Sequence, residues 1–165
     1  MKCLNCGSQM KKTKEKLYHY IDSGLSKIYL QGIEISQCSN SHCSDEEISI
    51  PNIEELHGLI AKHISSQKNK LLPEEIRFLR THLGFSGTDF ASNMGVSPET
   101  VSRWENGSVN MKEASEKLLR VLILSQSGPF RNYQELKEFA KTQRQSPVKR
   151  VFSITGHHWG EGQVA

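Results

Sequence analysis

The sequence predicts a mainly α chain that opens with a small β-rich, cysteine-tied domain and continues into a helical bundle. Three observations carry this. Four cysteines fall as two close pairs, Cys3/Cys6 and Cys38/Cys43. The segment between the pairs is rich in β-branched and aromatic residues. From Ile53 to Leu124 the apolar residues recur at helical spacing, punctuated by glycine and proline.

The cysteines define the first domain, residues 1–50. Cys3-Leu4-Asn5-Cys6-Gly7 and Cys38-Ser39-Asn40-Ser41-His42-Cys43 have the arrangement of a zinc ribbon, in which each pair sits on a tight turn and gives two thiolates to one tetrahedral ion. Cys43 is the expected fourth ligand, and His42 lies within reach as a competitor. Four protein ligands leave no open position, so one structural Zn2+ with no catalytic task is expected. No βαβ pattern surrounds Cys3/Cys6, which argues against a thioredoxin-like redox pair. Lys16–Ile21 and Lys27–Ile35 flank the turn signal Asp22-Ser23-Gly24 and read as a β-hairpin returning the second pair to the first. A sheet of this size buries too little apolar surface to stand alone, so the metal would contribute to folding.

Residues 51–70 read as a connector. Ile53, Leu56, Ile60 and Ile64 form one apolar stripe behind Asn52 as N-cap, and Ser65–Lys70 reads as a polar linker. His57 and His63 are six apart and share no helical face, so they are expected to pack or be solvated.

Residues 71–127 hold the helical domain. Pro73, Glu74 and Glu75 open a helix with Ile76, Leu79 and Leu83 inward, stopped at Gly84. A second helix starts near Ser86 with Phe90, Ala91 and Met94 inward, and Gly95 breaks it. Val96 is core, Ser97 caps a third helix with Pro98 in its first turn, Val101 and Trp104 face inward, and Asn106-Gly107 ends it. Small Ala91 lets two helices cross closely, and Gly95 supplies the positive φ of the turn between them. This is a helix-turn-helix, with Pro98, Glu99, Thr100, Ser102 and Arg103 on the outer face of its third helix.

Gly84–Ala91 followed by Met94–Gly107 resembles the phage-repressor (Xre-type) helix-turn-helix family over about residues 71–125. Cys3-x2-Cys6-Gly7, Ile28-x-Leu30-x-Gly32-Ile33 and the connecting helix add a resemblance to the YgiT/MqsA-type zinc finger plus helix-turn-helix regulators and antitoxins. The resemblance implies a dimeric repressor of double-stranded DNA, with a toxin protein as a further partner. Its recognition helix, about residues 97–106, would enter the major groove. Arg103 matches the family's base-reading arginine, and Glu99 stands where an amide or other polar reader is usual. Pro98 shares their face, while Ser97, Thr100 and Ser102 offer hydroxyls to phosphates or bases. Thr88, Asn106 and Lys112 are phosphate-contact candidates. Arg80 and Glu105 match a buried bridge of that family. Gly87 departs from a usual polar phosphate-contacting residue, and Ser44 after the C-x4-C pair departs from C-x2-C-G. The other reading of the chain is a protein-interaction module whose zinc domain neutralises a partner, with DNA binding secondary.

Residues 128–165 carry Tyr133, Leu136, Phe139 and Ala140 at helical spacing, with Asn132 as cap. Such a helix would cover the broad apolar surface of 114–124 or share it in a homodimer. Ser146–Ala165 has no periodicity and is expected to be a flexible tail.

Composition limits the alternatives. In 165 residues with 36% hydrophobic content, one or two compact units fit and a large α/β enzyme does not. No apolar run approaches the ~18–20 residues of a membrane span, and Met1-Lys2-Cys3 begins no export signal, so a cytoplasmic bacterial protein is expected, nucleoid-associated when on DNA. No glycine-rich phosphate loop, Ser/His/Asp set or paired-carboxylate grouping suggests an enzyme, and no catalytic residue is assigned. Net charge is +3 overall but −1 over 71–127, so DNA affinity must come from a few placed groups.

Overall fold

The structure, a computed structural model, describes residues 1–14, 17–126 and 149–163. It divides into two compact units. The first draws on described residues of Met1–Tyr20, Lys27–Leu56 and Lys149–Ala165, the second on those of Ile21–Ser26 and His57–Val148.

Two sheets build the first unit. Strands β1 (Met10–Lys14), β4 (Glu34–Cys38) and β5 (Glu46–Ser49) form an antiparallel sheet with β4 central. Strands β2 (Tyr18–His19), β3 (Ile28–Gln31), β6 (Arg150–Thr155) and β7 (His158–Glu161) form the second, in that order. Ile28 and Leu30 alternate inward on β3, where they join Ile33, Ile35, Val151, Phe152 and Trp159 in the core.

The expected hairpin is therefore shorter and differently employed. β2 and β3 pair over Tyr18↔Leu30 and His19↔Tyr29 only. Gly32, at φ +81°, breaks the 27–35 run, and a Cβ there would lie 3.2 Å from the Ile154 carbonyl oxygen. The chain turns at this glycine and enters the other sheet as β4. It is the β1–β4 ladder, with Met10 opposite Cys38, that carries the second cysteine pair back to the first.

The tail is a second correction. Instead of lacking regular structure, Arg150–Glu161 supplies β6, parallel to β3 with Leu30 opposite Phe152, and β7, antiparallel to β6. Phe152 is fully buried and Trp159 nearly so, and this apolar burial is what holds the tail. Trp159 Nε1 donates to the Pro51 carbonyl at 2.9 Å, and the Asn52 side-chain amide donates to the His157 carbonyl. Asn52 does precede helix α1 (Ile53–Ser66), but with φ +50° and its side chain spent on the tail rather than on the helix N-terminus. The proposed helix around Tyr133–Ala140 lies outside the described residues.

In the second unit, α2 (Pro73–His82), α3 (Gly87–Met94), α4 (Pro98–Glu105) and α5 (Glu113–Gln126) follow the residue pattern closely. Ser86 Oγ accepts from Asp89 N–H at 3.1 Å, while the Asp89 carboxylate accepts from Ser86 N–H and hydroxyl, a reciprocal cap for α3. Ser97 Oγ accepts from Thr100 N–H at 3.3 Å to cap α4. Gly95 takes φ +64°, as the turn requires. Ile76, Leu79, Phe90, Ala91, Val101, Trp104, Leu119 and Ile123 are buried, while Met94 and Val96 are half-buried.

The segment read as a linker is clamped. Arg120 of α5 is buried, and its guanidinium donates to the carbonyls of Ile64 (3.3 Å), Ser65 (3.1 Å), Gln67 and Asn69. Ile64 and Ser65 lie in the last turn of α1, where the Ile64 carbonyl also accepts from Gln67 N–H at 3.3 Å, and a cation is favoured at this helix end. Glu116 neutralises Arg120 at 2.7 Å and also accepts from Leu71 N–H at 3.2 Å. One ion pair thus secures the end of α1, the connector and the entrance to α2. Replacing Arg120 by Ala is expected to cost about 3–5 kcal/mol, because it leaves the Glu116 carboxylate buried without its counter-charge and removes the guanidinium from the connector carbonyls. Urea unfolding of the two proteins measures this directly.

His57 and His82 flank Phe78, with ring centroids at 5.6 and 6.4 Å, beside a cavity of about 280 Å³ whose wall also holds Asp22, Glu74 and Arg77. Burial lowers both imidazoles below their ordinary 6.5, and the charge of His82 adds to the effect on His57. Below pH 6.5 the unfolded chain binds these protons more readily than the folded one. Their contribution to stability is thus full above that pH and is lost as pH falls through the folded values. The urea midpoint should drop between pH 7.5 and 5.5, and drop less in a His57→Gln/His82→Gln variant.

Candidate nucleic-acid interface and cysteine cluster

Helix α4 presents two faces. Val101 and Trp104 are buried, each 2% exposed, whereas Ser97, Pro98, Glu99, Ser102 and Arg103 are exposed and Thr100 is half-buried. The helix is pinned at its last residue. Glu105 Oε1 receives Arg80 Nε at 2.5 Å and Oε2 receives Arg80 Nη2 at 3.2 Å, with side-chain exposures of 17% for Arg80 and 10% for Glu105. Arg80 Nη1 also donates to the Phe85 carbonyl at 2.7 Å, so the same guanidinium holds the α2–α3 turn. The expected bridge is present in fork geometry. Arg80 is consequently engaged inside the fold.

Arg77 is the residue that sequence reasoning missed. It lies one turn before Arg80 on α2 and is exposed, and its guanidinium donates to the Glu105 carbonyl at 3.1 Å and approaches Oε2 at 3.4 Å. Its signal was its spacing of three from Arg80, which puts both on the side of α2 that meets the end of α4.

A cavity of about 250 Å³ lies beside this contact, lined by Arg77, Gly87, Thr88, Pro98, Ser102 and Asn106 among others. Four of the expected DNA-facing residues, Thr88, Pro98, Ser102 and Asn106, thus converge on one concavity. The α3 N-terminus, with its partial positive charge, lies at the same place. A Cβ at Gly87 would meet no atom within 4 Å, so the glycine is not forced by packing. Asn106 Oδ1 accepts from Ser108 N–H at 2.9 Å. Lys112 is exposed just before α5 and outside the cavity. Glu99 stands on the first turn of α4, and its own backbone N–H, then the Ser97 hydroxyl, hold its carboxyl below the ordinary value. It is therefore an anion at neutral pH.

In the other unit, the four cysteine sulfurs lie within 4.8 Å of one another. Cys3 and Cys43 sulfurs are 3.7 Å apart, Cys6 and Cys38 sulfurs 3.4 Å. Local turns set these positions. Gly7, at φ +72°, donates its N–H to the Cys3 carbonyl at 2.9 Å, and Cys43 N–H donates to the Asn40 carbonyl at 3.0 Å. Asn40 N–H points at Cys38 Sγ at 3.5 Å. With a Zn–S bond of ~2.3 Å, a tetrahedron has sulfur–sulfur edges of ~3.8 Å, which these separations approach. The donor set is compatible with a single zinc ion. Cys43, not His42, completes the group, and His42 is exposed. The Cys3 thiol donates to Asp45 Oδ2 at 3.0 Å, and that contact pushes it up to about 12, while the Ser8 side chain pulls Cys6 down to about 6.

Residues 76–122 match the helix-turn-helix family. No curated protein and no solved structure matches the chain. The match covers the Xre-type part of the sequence resemblance and supports a regulator that binds double-stranded DNA. The match does not reach the cysteine-bearing residues 1–50, and no YgiT/MqsA-type family match is found. No helix among the described residues is long and apolar enough to cross a membrane.

Proposed function

We propose that the protein is a sequence-specific transcription regulator that lays α4 in the major groove and carries one structural zinc ion on Cys3, Cys6, Cys38 and Cys43. The observation that carries the DNA reading is the α4 face itself, with exposed Glu99, Ser102 and Arg103 on a helix locked from behind by Arg80–Glu105. Arg103 would take guanine O6 and N7 in bidentate fashion. Ionised Glu99, repelled by phosphates, is favourable only where it accepts from a base amino group such as cytosine N4. Thr88, Asn106 and Arg77, with the α3 N-terminus, would hold one backbone phosphate in the cavity they share. Ser97, Pro98 and Thr100 would line the groove edge, and Lys112 would reach an adjacent phosphate.

The low charge of this unit favours action as a homodimer, which doubles the placed cations. Two copies on one DNA face would read half-sites about 34 Å apart. Repression, and neutralisation of a toxin partner, are the roles implied by the sequence resemblance. When bound, zinc would cross-link the two cysteine turns, and its thiolates would leave no position for substrate.

After an operator is selected from random duplexes, Arg103→Ala should weaken binding by ~1–3 kcal/mol and relax preference at one base position. Operator affinity unchanged by this substitution would overturn the major-groove assignment. For the metal, elemental analysis of untagged protein should find one zinc per chain. A strong chelator should then unfold residues 1–50 while leaving the helical signal of the second unit. Less than stoichiometric zinc, with a first unit indifferent to chelator, would overturn the zinc reading.

A further inference from the structure

The four cysteines differ in their access to solvent. Cys3 is buried and its thiol is engaged by Asp45, Cys38 and Cys43 are half-buried, and Cys6 is exposed. Cys6 Sγ lies 3.4 Å from Cys38 Sγ, on the other turn. An S–S bond of ~2.05 Å requires this pair to close by a further ångström or so, and Cys6 sits on an exposed turn. A solvent-borne oxidant therefore reaches one sulfur first, and that sulfur has a partner at hand across the cluster.

We propose that Cys6 and Cys38 form an oxidative modification site, at which a hydroperoxide converts the two thiolates into a disulfide and so releases the metal. The release step rests on the zinc reading above. The disulfide step rests on the sulfur geometry alone. In the first step the Cys6 thiolate attacks the distal peroxide oxygen, the O–O bond breaks, and hydroxide (from hydrogen peroxide) leaves as Cys6 becomes a sulfenic acid. In the second, the Cys38 thiolate attacks the Cys6 sulfur, the S–O bond breaks, and a second hydroxide leaves. Two electrons pass from the sulfur pair to the peroxide, and both hydroxides take up protons to become water. Cys3 and Cys43 alone, half of the donor set, would then remain to hold the ion and would release it. A dithiol reductant reverses the change by thiol–disulfide exchange.

The test uses the full-length, untagged protein. Zinc content is measured before any oxidant is added, which examines the zinc reading separately. The protein is then treated with hydrogen peroxide in steps. Released zinc is followed with a chromogenic chelator, and disulfides are mapped by mass spectrometry after alkylation of the remaining thiols. The expected first product is a Cys6–Cys38 disulfide, formed with release of one zinc per disulfide and reversed by dithiothreitol plus zinc. A first disulfide within one turn, Cys3–Cys6 or Cys38–Cys43, would overturn the proposal. So would a pair at Cys3–Cys43, a Cys6 carried on to sulfinic acid without a partner, or a mapped Cys6–Cys38 disulfide in protein that keeps its zinc. Brief iodoacetamide treatment provides a second measure. It should modify Cys6 at least tenfold faster than Cys3, and equal rates would contradict the ordering by access.

Discussion

Glu105 is the anchor on which the candidate DNA-reading face depends. Its carboxylate, 10% exposed, is gripped by both forks of the Arg80 guanidinium and approached by Arg77, while its backbone carbonyl accepts from Arg77 as well. An α-helix of eight residues is marginal in isolation, so α4 keeps its shape because something outside it holds each end. Ser97 and Pro98 hold the first turn, and Glu105 with Trp104 holds the last. The exposed residues between them inherit a fixed direction. Because Arg80 also bonds the Phe85 carbonyl, one guanidinium couples the end of α4 to the turn that starts α3. The cavity shared by Thr88, Ser102 and Asn106 follows from that coupling.

The same device recurs at Arg120, in a more buried form. There a guanidinium gathers carbonyls from the end of α1 and the segment after it, and Glu116 both balances its charge and receives the Leu71 N–H. A buried charge pair adds little net stability against an apolar pair of equal shape, but it specifies geometry, because only one arrangement satisfies all its hydrogen bonds. In the first unit, where the sheets are small, the cysteine turns and the Phe152 and Trp159 side chains of the tail supply the equivalent constraint.

Much of the candidate site was legible in the chain because its signals are local. The capping serine, the proline behind it, the αL glycine and the inward Trp104 define α4 within ten residues, and its outer face follows from the 3.6 period. The Arg80–Glu105 pair was legible only through family resemblance, since twenty-five residues separate the partners. Arg77 was legible only as a neighbour of Arg80 on one face of α2, because an exposed arginine in the middle of a helix looks solvated until the end of another helix is brought against it. Met94 and Val96, read as core, are only half-buried, since periodicity ranks faces but does not measure depth.

By itself the sequence determined the short-range features: two cysteine turns, helices from residue 53 onward, and the cap-and-glycine grammar of the helix-turn-helix. Each depends on backbone preferences and hydrogen bonds among residues a few positions apart. The tertiary structure alone decided that Gly32 sends one apolar run into two sheets, that the C-terminal strands complete the first unit beside β3, and that Arg120 turns a polar linker into a clamped one. Those outcomes join residues from about twenty to more than one hundred positions apart. They are decided by which distant side chains can be buried together without leaving a carbonyl, an amide or a charge unpaired, and the order of residues along the chain does not display that.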